Sequence, residues 1–200
     1  SCPRSWNRRS ASAARTRSAP SKPRLNSPVQ VSPKRNLATG GLLALLVVLA
    51  DQATKEWALA TLFRDGAVVE VTPFFNLVAV WNRGVSFGLL ASDDPMTPYY
   101  LSGFALAVVI GLTVWLARSP SLLLRISLGL IIGGAIGNVI DRLRYNAVVD
   151  FIDWHAFGYH WPAFNLADSA ISAGVVFLLF DSFLGDPQSS DPQTPKGSGE

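Results

Sequence analysis

The sequence predicts an all-α integral membrane protein: four transmembrane helices with a small extramembrane β element between helices 1 and 2. Three observations lead there. Four segments are long and apolar enough to cross about 30 Å of hydrocarbon. The stretch between the first two is β-branched and aromatic, and it is broken by turn residues. The 200-residue chain is 49% apolar, and its apolar residues are clumped rather than dispersed.

Residues 1–36 come first. They carry nine Lys/Arg and no acid, are rich in Ser, Arg, Pro and Ala, and show no apolar period. Such a composition reads as a disordered basic tail. An Arg- and Ser-rich, acid-poor leader also matches an organellar transit peptide. The membrane domain is expected over 37–184, with spans at about 38–62, 99–117, 122–141 and 165–184. Between the first two spans, Val68 to Leu90 reads as short strands interrupted by Pro73 and Asn-Arg-Gly. Between the last two, 142–164 reads as a loop. Its Trp154, Phe157, Tyr159 and Trp161 suit a membrane–water interface, as do His155 and His160 among them. The Pro-, Ser-, Gly- and Asp-rich end, 185–200, is expected to be disordered.

Charge sets the expected orientation. Residues 37–200 hold eight basic and fourteen acidic residues, so the excess of positive charge belongs to the tail. Four spans put both termini on one side, together with Arg118 and Arg125 of the second connection. The other side has Arg64, Arg83, Arg142 and Arg144. The more basic side is expected to be cytoplasmic.

The polar residues within the spans gather at one depth. Asp51 lies about 21 Å along the first span from Leu37, and Lys55 follows one turn later on the same helix face. Two readings stand for this pair: a mutually neutralising structural contact, or part of a site. In the third span, Gly129, Gly133 and Gly137 run at four-residue intervals into Asp141. Beside them Gly134 leads to Asn138 and Arg142. Glycine rows let a neighbouring helix approach closely. The fourth span opens with Asn165 and Asp168, which suit a helix cap. Capping alone does not explain why Asp51, Lys55, Asn82, Asn138, Asp141, Arg142, Asp150, Asn165 and Asp168 all map to the outer half.

Several chemistries lack their residues. The single Cys2 permits no intrachain disulfide and no Cys₄ or Cys₂His₂ metal site. There is no HExxH, and both histidines lie in one aromatic loop, so a serine mechanism is poorly supported. Aspartates are plentiful. Two carboxylates held together share one proton, and such a pair activates water while its protonated member polarises a carbonyl. A pair of acids equally suits a cation or a proton relay, so a small proton-coupled transporter is the alternative. Transporters of that kind often show inverted repeats; the β insert occurs once here, and Asp168 has no counterpart in the first half.

Five blocks carry a more specific signal: "DQATK" (Asp51–Lys55), "WNRGVSFGLL" (Trp81–Leu90), "GGAIGNVIDR" (Gly133–Arg142), "VVDF" (Val148–Phe151) and "FNLADSAI" (Phe164–Ile171). In content and order the chain resembles the lipoprotein signal peptidases, or signal peptidase II family, over about 38–184. The resemblance implies a membrane aspartyl endopeptidase that cuts diacylglyceryl-modified prolipoproteins just before the lipidated cysteine. It implies a bacterial cytoplasmic (inner) membrane location with the site near the outer face. Asp150 and Asp168 match the catalytic pair. Asn82, Asn138, Arg142 and Asn165 match polar residues around it, Asp51 and Lys55 match a first-helix pair, and Asp141 and Gly134 take supporting places. Partners are then lipid-modified prolipoproteins and membrane lipids, with no nucleic acid, and no metal or organic cofactor is implied. Trp81 stands where other aromatic or basic residues are common in the family.

Overall fold

A computed structural model describes residues 32–66, 68–84 and 94–184. The expected tails at 1–31 and 185–200, and the Val85–Leu90 part of the second block, lie outside them.

Four helices are long and apolar enough to span a bilayer. They are α1 (Pro33–Asp65), α2 (Thr97–Ala117), α3 (Leu122–Tyr145) and α4 (Leu166–Leu184). Local sequence sets their ends. Pro sits in the first turn of α1 and of α2, where a missing N–H costs nothing. Ser121 caps α3 by accepting the Leu124 N–H. Gly66 and Asn146 close α1 and α3 in the left-handed conformation. Helix α1 begins at Pro33, three residues before the expected end of the tail. The boundary at 36 is corrected because Asn36 is buried: its amide donates to the Ala117 and Ser119 carbonyls and accepts from Arg125 Nη1. Nearby, Ser121 Oγ donates to Asp181 Oδ1 at 2.6 Å, so this end of the bundle is tied across all four helices.

Helix α3 is the inner helix. In its most apolar stretch 61% of residues are buried, against 17% in each of the others. Its glycines account for this. A methyl on Gly133 would lie 2.7 Å from the Ala44 carbonyl oxygen of α1, and one on Gly134 would strike the Ala167 carbonyl of α4. One glycine row therefore serves α1 and its neighbour serves α4.

The strands are β1 (Val69–Thr72), β2 (Phe75–Asn82), β3 (Val148–Ala156) and β4 (Tyr159–His160). They form one antiparallel sheet in the order β1-β2-β3-β4. The β element is thus built from both connections, and 142–164, expected as a loop, contains β3 and β4. Its start, VVDF, is buried on both faces. It therefore lacks the apolar–polar alternation that marks a strand with one wet face. A bulge in β2 sets Val78 and Ala79 against one residue of β3, between the pairs Leu77–Ile152 and Val80–Asp150.

At about 50 Å, α1 is longer than the hydrocarbon needs. Its last turns carry the sheet: Ala58 and Leu62 pack with Val149 and Phe151. Trp81 lies between Phe63 and Tyr145, edge-on to the first and tilted to the second, with ring centroids 4.8 and 5.6 Å away.

Candidate active site

Four elements deliver the two aspartates and the amides around them. Asp150 comes from β3, beside Asn82 at the end of β2. After β4 the chain returns along β3. The Phe164 carbonyl accepts from Phe151 and Ile152, and the Phe164 N–H donates to Ile152. That bridge ends one residue before Asn165, so α4 starts against β3. Asn138 faces both from α3.

Asp150 is fully buried. Its Oδ1 accepts from Asn165 Nδ2 at 2.7 Å, and its Oδ2 accepts from Asn82 Nδ2 at 2.9 Å. Asn82 is itself fixed, because its Oδ1 accepts the Gly84 N–H at 3.0 Å. Burial first, and then the nearby charge of Asp168, push the Asp150 carboxyl up to about 7; the two amide donors and Lys55 oppose them.

Asp168 is half-buried and lines a cavity of about 480 Å³, together with Trp154, Trp161, Pro162, Phe164 and Ser172. Its Oδ1 accepts from Asn138 Nδ2 at 2.8 Å. Its Oδ2 accepts from the Asn165 N–H at 3.4 Å, while its own N–H donates to Asn165 Oδ1 at 3.0 Å. This reciprocal pair is a capping box. Asn165 therefore caps α4 and contacts both aspartates.

Behind this layer lies an ionic one. Lys55 Nζ is 2.9 Å from both Asp51 and Asp141, and it donates to Asn138 Oδ1 at 3.1 Å. All three ionic groups are buried. Arg142 Nη2 donates to the Gly84 carbonyl at 3.1 Å, anchoring the end of β2 to α3. Gly134 provides the closeness of α3 to α4. All ten expected site residues thus meet where the sheet joins the bundle.

Sequence reasoning missed Gln52. Its Nε2 lies 3.2 Å from Asp51 Oδ2, 3.3 Å from the Gly137 carbonyl and 3.0 Å from Asp141 Oδ1. Its signal was an uncharged amide inside an otherwise apolar span, overshadowed by the ions on either side. Asp153 stands apart from the site, bonded to Asn76 and paired with His160 at 2.9 Å. A larger aromatic cavity of about 660 Å³, walled by Phe74, Phe75, Trp154, His155, Tyr159 and Trp161, adjoins the Asp168 cavity through the two tryptophans. Among the described residues, no three His, Cys, Asp or Glu side chains come together as a metal-binding set.

A four-span bundle carrying a buried carboxylate site beneath a small sheet defines a polytopic membrane enzyme. Residues 43–184 match the family model described as signal peptidase (SPase) II. The chain is 48% identical over 162 residues to the lipoprotein signal peptidase of Nitrobacter hamburgensis, covering 78% of this chain and 98% of that protein. It is 45% identical over 151 residues to that of Burkholderia thailandensis, covering 72% and 90%. It resembles a bacterial membrane enzyme solved by the in meso method at 2.3 Å, with a TM-score of 0.65 and 31% identity over 82% of this chain and 96% of that one. The chain belongs to the signal peptidase II family and is a multi-pass bacterial membrane peptidase. None of these matches supports the transporter alternative.

Proposed function

We propose that this peptidase removes signal peptides from diacylglyceryl-modified prolipoproteins, cutting just before the lipidated cysteine with Asp150 and Asp168 as an aspartyl dyad. The observation that carries the mechanism is the unequal pair. Asp150 is buried, with its carboxyl pushed up to about 7, beside an Asp168 that faces a cavity. Below about pH 7 Asp150 keeps its proton, and that is the one proton the dyad shares.

The chemistry then follows in two steps. Water gives a proton to Asp168 as its oxygen attacks the scissile carbonyl carbon, and Asp150 passes its proton to the carbonyl oxygen. The tetrahedral intermediate collapses: the C–N bond breaks, Asp168 protonates the departing cysteine amine, and an intermediate hydroxyl returns its proton to Asp150. Asn82, Asn138 and Asn165 hold the carboxylates through N–H donors. The apolar walls of the Asp168 cavity suit a substrate segment arriving from the bilayer with its lipid anchor. The site lies near the outer face of the cytoplasmic membrane, with both termini inside.

The test is cleavage of a lipidated prolipoprotein by purified protein, followed as a gel shift. Asp150→Asn and Asp168→Asn should each be made at near-normal abundance and cleave nothing measurable. The double variant should lose no more than either single one, because members of one catalytic unit are non-additive. Near wild-type processing by either single variant would exclude the dyad.

A further inference from the structure

We propose that Asp51, Gln52, Lys55 and Asp141 form a positioning frame that sets the spacing of the two catalytic carboxylates through the backbone amides preceding them. The inference rests on Asp150 and Asp168 being the dyad.

The geometry is paired. Asp51 Oδ1 accepts the Ala167 N–H at 2.9 Å, and Ala167 directly precedes Asp168. Asp141 Oδ2 accepts the Val149 N–H at 3.1 Å, and Val149 directly precedes Asp150. Each buried acid therefore holds the main chain one residue before one member of the dyad. The two acids are then coupled twice. Lys55 Nζ bridges their Oδ2 atoms at 2.9 Å each. Gln52 Nε2 bridges Asp51 Oδ2 and Asp141 Oδ1. The remaining Lys55 donor goes to Asn138 Oδ1, which turns the Asn138 amide nitrogen toward Asp168.

Stability alone is a poor reason for this arrangement. Buried ion pairs are often no better than well-packed apolar side chains, and their best-attested use is to specify one arrangement. Here that arrangement is the distance between β3 and the first turn of α4. A dyad that shares one proton tolerates little error in it, and catalytic groups must be held within about 0.5 Å. Gln52 is the neutral member. It satisfies both acids without adding charge, and its removal leaves the Lys55 bridge in place.

Gln52→Met keeps the length of the side chain and changes no charge. It should lower kcat by about 10- to 100-fold, the scale of a small misplacement of reacting groups, with KM changed less than about threefold. The alkaline limb of its kcat profile should move to lower pH, because carboxylates held further apart repel less. Wild-type kcat and an unmoved limb would overturn the frame. If Gln52→Met yields too little folded protein, Asp51→Asn, which keeps an acceptor for Ala167, is compared with Asp51→Leu, which does not. Greater activity per folded molecule in the Asn variant supports the frame, and equal loss overturns it. Asp150→Asn and Asp168→Asn in the same assay separate the two ideas. Residual cleavage there removes the dyad, and with it the frame; dead aspartate variants beside a fully active Gln52→Met remove the frame alone.

Discussion

Asp168 uses its two oxygens for different purposes: one faces Asn138, and the other closes the cap with Asn165. Cap and site are thus one residue's two contacts rather than rival explanations. A lost helix-terminus interaction costs only about 0.3–1 kcal/mol, so abundance should survive Asp168→Asn. Asp153 bonds away from the proposed dyad, so Asp153→Asn should keep most of the cleavage in the gel-shift assay. For Asp150, the carboxyl rises from 3.8 to about 7, so between these values the folded chain holds a proton that the unfolded chain releases. Its contribution to stability is complete below pH 3.8, shrinks as pH rises and is gone above about 7. Melting at pH 5 and pH 8 should show a loss in the wild type that is smaller in Asp150→Asn. If Asp150 and Asp168 are the proposed dyad, cleavage should also fall as pH rises through about 7 and Asp150 loses its proton. A methyl on Gly137 would lie 2.5 Å from Asp51 Oδ2. Gly137→Ala should therefore cost about 1–3 kcal/mol, as overpacking does, and should reduce turnover, read by thermal unfolding and cleavage. Charged and amide residues of the site were legible because they are out of place in apolar spans. Gln52 was not, because an isolated amide carries no pattern; only the fold brings it to two acids, one of them from another helix.

At the scale of elements, the helices were legible to within a few residues because bilayer thickness imposes their length. The sheet was legible only in its first half. Val148–Phe151 was missed because burial on both faces removes the alternation, and its pairing with β2 joins residues about 70 apart. The β3–β4 hairpin keeps one clear sequence mark, its aromatic tip. Phe157 and Gly158 turn with φ of 52° and 79°, the signs that a two-residue type I′ hairpin requires. A fully exposed phenylalanine in that conformation is poorly suited to water, but it suits the interface beside α4. Asn favours the same turn, so Phe157→Asn should preserve the melting temperature in detergent and weaken contact with lipid. Quenching of the neighbouring Trp154 and Trp161 by bromolipids in vesicles should fall in that variant. Unchanged quenching would place the hairpin in water.

For the whole molecule, the expected orientation puts both ends in the cytoplasm and 142–164 outside. With Cys2 replaced, single cysteines in the tails should resist an impermeant thiol reagent in intact cells, and single cysteines in 142–164 should react. Labelled tails would reverse the orientation. Arg125, counted among the cytoplasmic charges, is a buried partner of Asn36, so the tail carries most of the asymmetry. One further consequence comes from α1, which is continuous from the Asn36 tie at one end of the bundle to the packing of Ala58 and Leu62 beneath the sheet. Asp51 stands about 22 Å from Asn36 along it. The rod is a ruler: it sets how far the carboxylates stand from the opposite membrane face, whatever the lipid. The lipid anchor of the proposed substrate, by contrast, would ride with the lipid headgroups and follow bilayer thickness. Turnover in vesicles of increasing acyl length should therefore pass through a maximum where ruler and bilayer agree, with detergent-solubilised enzyme showing no such optimum.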